Sequence, residues 1–181
     1  VLSDYRSLAT VSDNCTASAS LVVSQSPAAG TAVSGTGTTV VTLTVTDASG
    51  NSSSCTANIT VVDTIPPFAI CNNITVQLDA NGQVVVTAAQ INSNSTDNCG
   101  IASIEINGQS QNTFNCGNVG VNTVTLTVTD VNGNVSTCTA TVTVIDNINP
   151  TAICQNVTIY LDANGNAVVT AAQVNNGSFD N

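Results

Sequence analysis

The chain almost lacks basic residues and has no histidine, methionine or tryptophan. Its 181 residues include one Lys or Arg against eleven acidic residues, so the formal net charge at pH 7 is −10. This charge makes nucleic acid and anionic membrane surfaces poor partners. General acid–base catalysis most often uses His, or Lys and carboxylates tuned by burial. Without His or Lys, and with acids that recur at the same positions of successive repeats, we expect no enzymatic activity.

Long apolar runs and aromatic residues are also scarce. No stretch resembles a signal peptide or the run of about 20 apolar residues that crosses a bilayer. Only 3% of the residues are aromatic, whereas sugar-binding surfaces usually present exposed aromatic rings. We therefore expect no membrane span and no ligand pocket in this segment, and we expect any targeting signal to lie outside it.

What the chain does contain is strict alternation of apolar and hydroxyl residues. The stretch "VTLTVTD" occurs at residues 41–47 and again at 124–130. Alternate side chains of a strand point to opposite faces of a sheet, and Val and Thr both favour strands. The "VNGN" that follows the second copy is typical of a hairpin turn. The pattern predicts half-buried antiparallel strands.

The repetition extends over whole domains, with a period of 83 residues. Residues 63–98 align without a gap on residues 146–181. A period of this length is longer than that of solenoid repeats and indicates tandem small β domains. We predict the later part of a first repeat at 1–62, a complete repeat at 63–145 and the opening part of a third at 146–181. An 83-residue domain is small, so additional cross-links are expected.

Seven cysteines without zinc-binding spacing indicate an oxidising, extracytoplasmic setting. Four of them fall in the complete repeat and allow three pairings. We favour Cys71 with Cys138, because the opening and last strands of a seven-stranded sandwich run side by side. Cys99 with Cys116 would then be the second pair.

The first repeat departs from the complete repeat at one cysteine position. Val33 stands at the position of Cys116, so Cys15 lacks the partner predicted for its counterpart Cys99. Cys15 is then either a buried thiol or part of an intermolecular bridge. Cys55 and Cys154 are expected to pair with cysteines outside this segment.

Nine of the ten aspartates occupy repeated positions at strand ends. The simpler interpretation, which we favour, is that they accept hydrogen bonds from turn amides. These positions are Asp13/Asp97/Asp180, Asp47/Asp130, Asp63/Asp146 and Asp79/Asp162.

The alternative interpretation is a calcium site. In a seven-stranded sandwich the linker before the first strand and the loops after the second and sixth strands meet at one pole. This arrangement would bring Asp63, Asp97 and Asp130 together, with Asp146 and Asp180 as counterparts in the third repeat. Carboxylate oxygens suit Ca²⁺, and such a site would stiffen the junction between domains.

Several longer motifs resemble the hyalin repeat (HYR) domain. They are "DTIPPFAIC", "STDNCG", "TDVNGNVSTCTATVTVID" and "QSPAAGTAVSGTGTTVVTLTVTDASGN". More narrowly, they are similar to the cysteine-containing HYR domains of long secreted surface adhesins of gliding Bacteroidota. The resemblance implies tandem immunoglobulin-like β-sandwiches, and paired cysteines flanking the sandwich match Cys71 and Cys138. It also implies an exported cell-surface filament or stalk that serves adhesion and gliding motility.

The sequence thus predicts a structural and adhesive repeat protein, and the alternative is an accessory module of a secreted enzyme. The expected partners are neighbouring repeats of the same chain and an extracellular surface or glycan. The opening part at 146–181 and the later part at 1–62 together make about one repeat. A segment of a longer repeat chain explains this best, and end-to-end strand complementation between chains is the alternative.

Overall fold

The computed structural model describes all 181 residues, which form two compact units, Val1–Thr64 and Ile65–Asn181. Strands dominate both units, and the only α-helices are single turns. The predicted all-β fold of tandem immunoglobulin-like sandwich repeats is confirmed. None of the helices has the length and apolar character that a membrane span requires.

The Val1–Thr64 unit contains one antiparallel sheet of three strands in the order β1-β2-β3. The strands are β1 (Val22–Ser26), β2 (Gly37–Thr46) and β3 (Ser52–Val61). Strands β2 and β3 form a long hairpin, with Leu43 opposite Cys55. Short 3₁₀ turns at Arg6–Leu8 and Ser18–Ser20 precede the sheet.

The Ile65–Asn181 unit contains a four-stranded sheet, ordered β4-β9-β8-β6, and a two-stranded sheet of β5 and β7. Strand β4 pairs with β9 in parallel, and the other pairs are antiparallel. The elements are β4 (Ile74–Gln77), β5 (Gln83–Thr87), α1 (Ala88–Ile91), β6 (Ile101–Ile106), β7 (Gln111–Asn115), a 3₁₀ turn (Cys116–Asn118), β8 (Gly120–Asp130), β9 (Val135–Ile145) and α2 (Ala171–Val174).

The core of this unit confirms the alternation in "VTLTVTD". Val124, Leu126 and Val128 of β8 are buried, and the threonines between them are partly exposed. They pack in one apolar cluster with side chains of both sheets and of α1. The sequence period of two therefore sets which face of β8 enters the core.

The expectation of seven strands in the complete repeat is wrong, because residues 63–145 form six. Where an opening strand was expected, Phe68 and Cys71 make only single bridges, to Thr96 and Asn92. Pro66 and Pro67 precede these residues and have no backbone N–H to extend the ladder. Regular pairing starts three residues after Cys71, at β4.

Residues 146–181 repeat only part of the pattern of residues 63–98. They form the equivalent bridges, Thr151 with Phe179 and Cys154 with Asn175, and the equivalent helical turn α2. Residues 157–160, the counterparts of β4, form no strand. Their apolar side chains are exposed, because no neighbouring sheet covers them.

Candidate functional site

The predicted disulfide between Cys71 and Cys138 is confirmed. The two Cα atoms are 6.0 Å apart, and the bond links residues 67 positions apart in sequence. Cys71 precedes β4 and Cys138 lies in β9, the strand that pairs with β4. The bridge therefore fastens the first strand of the domain to its last strand beside the core.

The predicted second disulfide, between Cys99 and Cys116, is wrong, because Cys116 is an exposed thiol. Cys99 precedes Gly100, whose carbonyl accepts a hydrogen bond from Val131, just beyond the end of β8. Cys116 lies instead before the start of β8. Eleven residues of strand span about 33 Å, whereas bridged Cα atoms lie within about 7 Å. The two cysteines therefore lie at opposite ends of the domain.

Cys116 has a different neighbourhood. Its Sγ donates to the carbonyl oxygens of Gly82, at 3.6 Å, and Asn181, at 3.2 Å. A hydrogen bond of 3.2 Å from the Asn181 side chain to the Asp79 carbonyl lies beside it. The thiol therefore faces the end of the segment that opens the third repeat. Cys15, Cys55 and Cys154 are also exposed thiols, so the burial considered for Cys15 is not found.

Four aspartates accept hydrogen bonds from backbone amides in the same kind of hairpin turn. At these positions this confirms the prediction that the repeated aspartates bind turn amides. In each turn Oδ1 accepts hydrogen bonds of 2.8 to 3.0 Å from the backbone N–H groups two and four residues later. The aspartate carbonyl accepts a further bond from a glycine three residues later, whose φ is positive. The residues are Asp47, Asp79, Asp130 and Asp162.

Asp130 is the one carboxylate of this group that is fully buried, with 1% of its surface exposed. Burial is the largest single influence on its pKa and acts to raise it, but hydrogen bonds from the Asn134 side chain and from backbone groups of Asn134, Asn132 and Gly133 together lower the pKa. The Asn134 amide contacts Oδ2 at 2.7 Å. The carboxylate is therefore held in its charged form inside the domain.

Asn134 was not among the predicted site residues. The signal that could have identified it is the spacing D-x-x-G-N, which occurs at residues 47–51, 130–134 and 162–166. In the first two of these turns the Asn side chain donates to Oδ2 of the Asp, at 2.8 Å for Asn51. This contact is the largest of the influences that lower the pKa of Asp47.

Asp97 holds a different turn and uses one of its two oxygens. Oδ2 accepts hydrogen bonds from the backbone N–H groups of Cys99, at 2.7 Å, and Gly100, at 2.9 Å. Oδ1 is buried and has no hydrogen-bond partner. An oxygen in this state needs compensation, because a buried polar atom without a partner is unfavourable.

Two of the three carboxylates that the sequence predicted to meet lie close together within the Ile65–Asn181 unit. Ligand oxygens of Asp97 and Asp130 lie within 4.8 Å of each other. Two negative charges at this separation repel each other unless a cation or protons compensate them. Carboxylate oxygens are the ligands that Ca²⁺ prefers. Oδ1 of Asp97 is buried and accepts no hydrogen bond, so it is available to bind a cation.

Asp146 and Asp180, the counterparts in the third repeat, belong to no such group. In the third repeat, the position equivalent to Asp130 lies beyond residue 181. The first repeat has Asp13 and Asp47 at the positions of Asp97 and Asp130, and the negative charge of Asp13 acts to raise the pKa of Asp47. Both line an open cavity of about 450 Å³.

Together these features define a class of protein: small β-sandwich domains in series, held by a core, a disulfide and aspartate turns. The family model described as "HYR domain" matches residues 7–61 and 62–144. The chain therefore belongs to the HYR domain family. No curated protein matches the chain.

Membership in this family bears on the general function. HYR domains are non-catalytic repeats and generally serve as extracellular modules of the adhesion type. This agrees with the expectation that the chain is not an enzyme, and the disulfide fits a location outside the cytoplasm. The two matches end at residues 61 and 144, one residue before the predicted repeat boundaries.

Proposed function

We propose that this chain is a structural and adhesive segment of a long filament or stalk on a bacterial cell surface, and that the filament takes part in gliding motility. The observation that carries the proposal is the contiguous series of HYR domains, with no residue between the first match and the second. In a protein built from such a series, the number of repeats sets how far the protein extends from the cell surface.

The chemistry of the chain supports an exposed, extracellular role. The only cation, Arg6, forms an ion pair of 2.7 Å with Asp4, so the remaining carboxylates have no cationic side chain as partner. The complete domain is closed by a disulfide, which persists in oxidising compartments.

Electron microscopy of the native full-length protein, and immunolabelling of cells with an antibody against this chain, test the proposal. We expect beaded threads, and label outside the cell that moves along the surface of gliding cells. Label inside the cell or compact particles would contradict the filament. Stationary label on moving cells would contradict only the role in gliding.

We also propose that Asp63, Asp97 and Asp130 bind one Ca²⁺ ion. Ca²⁺ takes six to eight oxygen ligands, so backbone carbonyls, the Asn98 side chain and water would complete the shell. Two observations support this assignment: Asp130 is buried, and Oδ1 of Asp97 has no hydrogen-bond partner. Binding would cancel the repulsion among the carboxylates and stabilise the folded domain.

Calorimetric titration of the full chain with CaCl₂ tests the calcium site. We expect one site, with an affinity that falls at least about tenfold in Asp97→Asn, because one charged ligand is lost. Asp79→Asn is the matched control, since Asp79 is also a turn aspartate but lies outside the group of three. Equal binding by the wild type and Asp97→Asn would exclude the site.

A further inference from the structure

Cys116 lies at the end of the complete domain that contacts the third repeat. Its Sγ is 3.6 Å from the carbonyl oxygen of Gly82 and 3.2 Å from that of Asn181. The Asn181 side chain donates to the Asp79 carbonyl at 3.2 Å. Asn181 is partly covered by these contacts, whereas residues 149–180 are exposed. We call the turn from Asp79 to Gly82, together with Cys116, the junction surface.

The junction surface leaves no room for a side chain at Gly82. A Cβ atom there would lie 2.6 Å from the Cys116 Sγ and 3.0 Å from the carbonyl carbon of Asn181. Gly165, the counterpart of Gly82 in the third repeat, also has a positive φ, but a Cβ atom there would meet nothing within 4 Å. The two turns therefore have the same backbone requirement, and only the turn at Gly82 packs against a neighbouring repeat.

The repeats place a cysteine directly after the asparagine that corresponds to Asn181. Cys15 follows Asn14, and Cys99 follows Asn98. Asn181 is the counterpart of Asn98, 83 residues later in the sequence. The position that corresponds to Cys99 in the third repeat is therefore the one that follows Asn181.

That position lies within disulfide reach of Cys116. Because the peptide unit is planar and its bond lengths are fixed, the Cα atom that follows Asn181 lies within about 3 Å of the Asn181 carbonyl oxygen. The Cys116 Sγ is 3.2 Å from this oxygen, so it is at most about 6 Å from that Cα atom. A disulfide joins Cα atoms that are about 4 to 7 Å apart.

We propose that the Cys116 position of one domain and the Cys99 position of the domain that follows form a disulfide between consecutive domains. Within one domain these positions lie at opposite ends, so they are available only to neighbouring domains. The bond is a second covalent connection beside the peptide linker, and it restrains bending between the domains. Val33 occupies the Cys116 position of the first repeat, so that repeat cannot form this bond with the next one.

Formation of the bond requires an oxidant, and a small-molecule disulfide such as oxidised glutathione supplies it. The Cys116 thiolate attacks one glutathione sulfur and releases a glutathione thiolate. The thiolate of the second cysteine attacks the Cys116 sulfur and releases the other glutathione. Two protein thiols are oxidised to one disulfide, and one glutathione disulfide is reduced to two thiols. Neither cysteine position is among the proposed calcium ligands, so failure of this proposal would leave the calcium and adhesive proposals unaffected.

Peptide mapping of the native full-length protein without reduction tests the bond. A protease that cleaves after Asp and Glu separates Cys99 from Cys116, because Glu105 lies between them. We expect mass spectrometry to show the peptide 106–130, which contains Cys116, bonded to the peptide that begins at Asn181. A Cys116 thiol, or a bond from Cys116 to any other peptide, would overturn the proposal.

Two glycine variants separate an ordered junction from a chance disulfide. They are made in a chain with cysteine as the residue that follows Asn181 and equilibrated in a glutathione redox buffer. For Gly82→Ala we expect at least about a tenfold lower ratio of bonded to unbonded Cys116, because displacement of the turn lowers the effective concentration of the two thiols.

Gly165→Ala is the matched control, because it introduces the same positive-φ strain where a Cβ atom has no neighbour. We expect this variant to form the bond like the parent chain. Far-ultraviolet circular dichroism and an intact Cys71–Cys138 bond show that each variant is folded. Equal losses in the two variants, or an unchanged ratio in Gly82→Ala, would contradict the ordered junction.

Discussion

Removal of the Cys71–Cys138 bond should destabilise the complete domain severely. The bond closes a loop of 67 residues. The chain-entropy relation gives about 4.4 kcal/mol at 25 °C for a loop of that length. Natural domains unfold with a free energy of about 5 to 15 kcal/mol, so this bond supplies a large part of the total. We expect the double variant Cys71→Ala/Cys138→Ala to lose about 4 kcal/mol.

Urea unfolding followed by far-ultraviolet circular dichroism measures this loss. Cys154→Ala is the control, because Cys154 is the repeat counterpart of Cys71 but is an exposed thiol. The wild type treated with a reductant should unfold at the same urea concentration as the double variant. A loss below about 1 kcal/mol, or a Cys154→Ala effect of similar size, would refute the loop-entropy argument.

Three further predictions concern the core, the carboxylates and Cys116. Leu126→Ala should cost about 2 to 5 kcal/mol in urea unfolding because Leu126 is fully buried, and Val119→Ala, at a half-exposed site, far less. Hydrogen bonds lower the pKa values of Asp47, Asp79 and Asp130 in the folded chain. The free energy of unfolding should therefore change little between about pH 7 and about pH 5. It should fall as the pH drops below about 3.9, the pKa of Asp in the unfolded chain. A decrease confined to higher pH would contradict this. With cysteine as the residue that follows Asn181, as Cys99 follows the counterpart Asn98, we expect a bond to Cys116, whose Sγ is 3.2 Å from the Asn181 carbonyl. Peptide mapping that finds no such bond would contradict the contact.

The sequence determined the strands and the meeting of the carboxylates for a common physical reason. Alternation fixed which face of each strand is buried, and the repeat showed which strand ends correspond. Asp97 and Asp130 could be placed together because each lies beside a strand end at the same pole. The prediction was argued from a seven-stranded sandwich, whereas residues 63–145 form six strands.

The wrong prediction for Cys116 concerns which sheet a strand joins, and the alternation of apolar and polar residues does not determine this. Strand β7 pairs with β5 in the smaller sheet instead of joining β6 and β8. This pairing carries Cys116 to the turn at Gly82, at the opposite end of the domain from Cys99. Both sheets have an apolar inner face, so period-two patterns cannot show which sheet a short strand joins.

The same topology explains why the disulfide matters for the first strand of the domain. Strands β8 and β9 form a hairpin of nearby residues, whereas Cys71 and Cys138, beside the β4–β9 pair, are 67 residues apart in sequence. Closing so long a loop costs more conformational entropy than closing a hairpin. The Cys71–Cys138 bond keeps that loop closed in the unfolded chain as well, so its loss should act mainly on the pairing of β4 with β9.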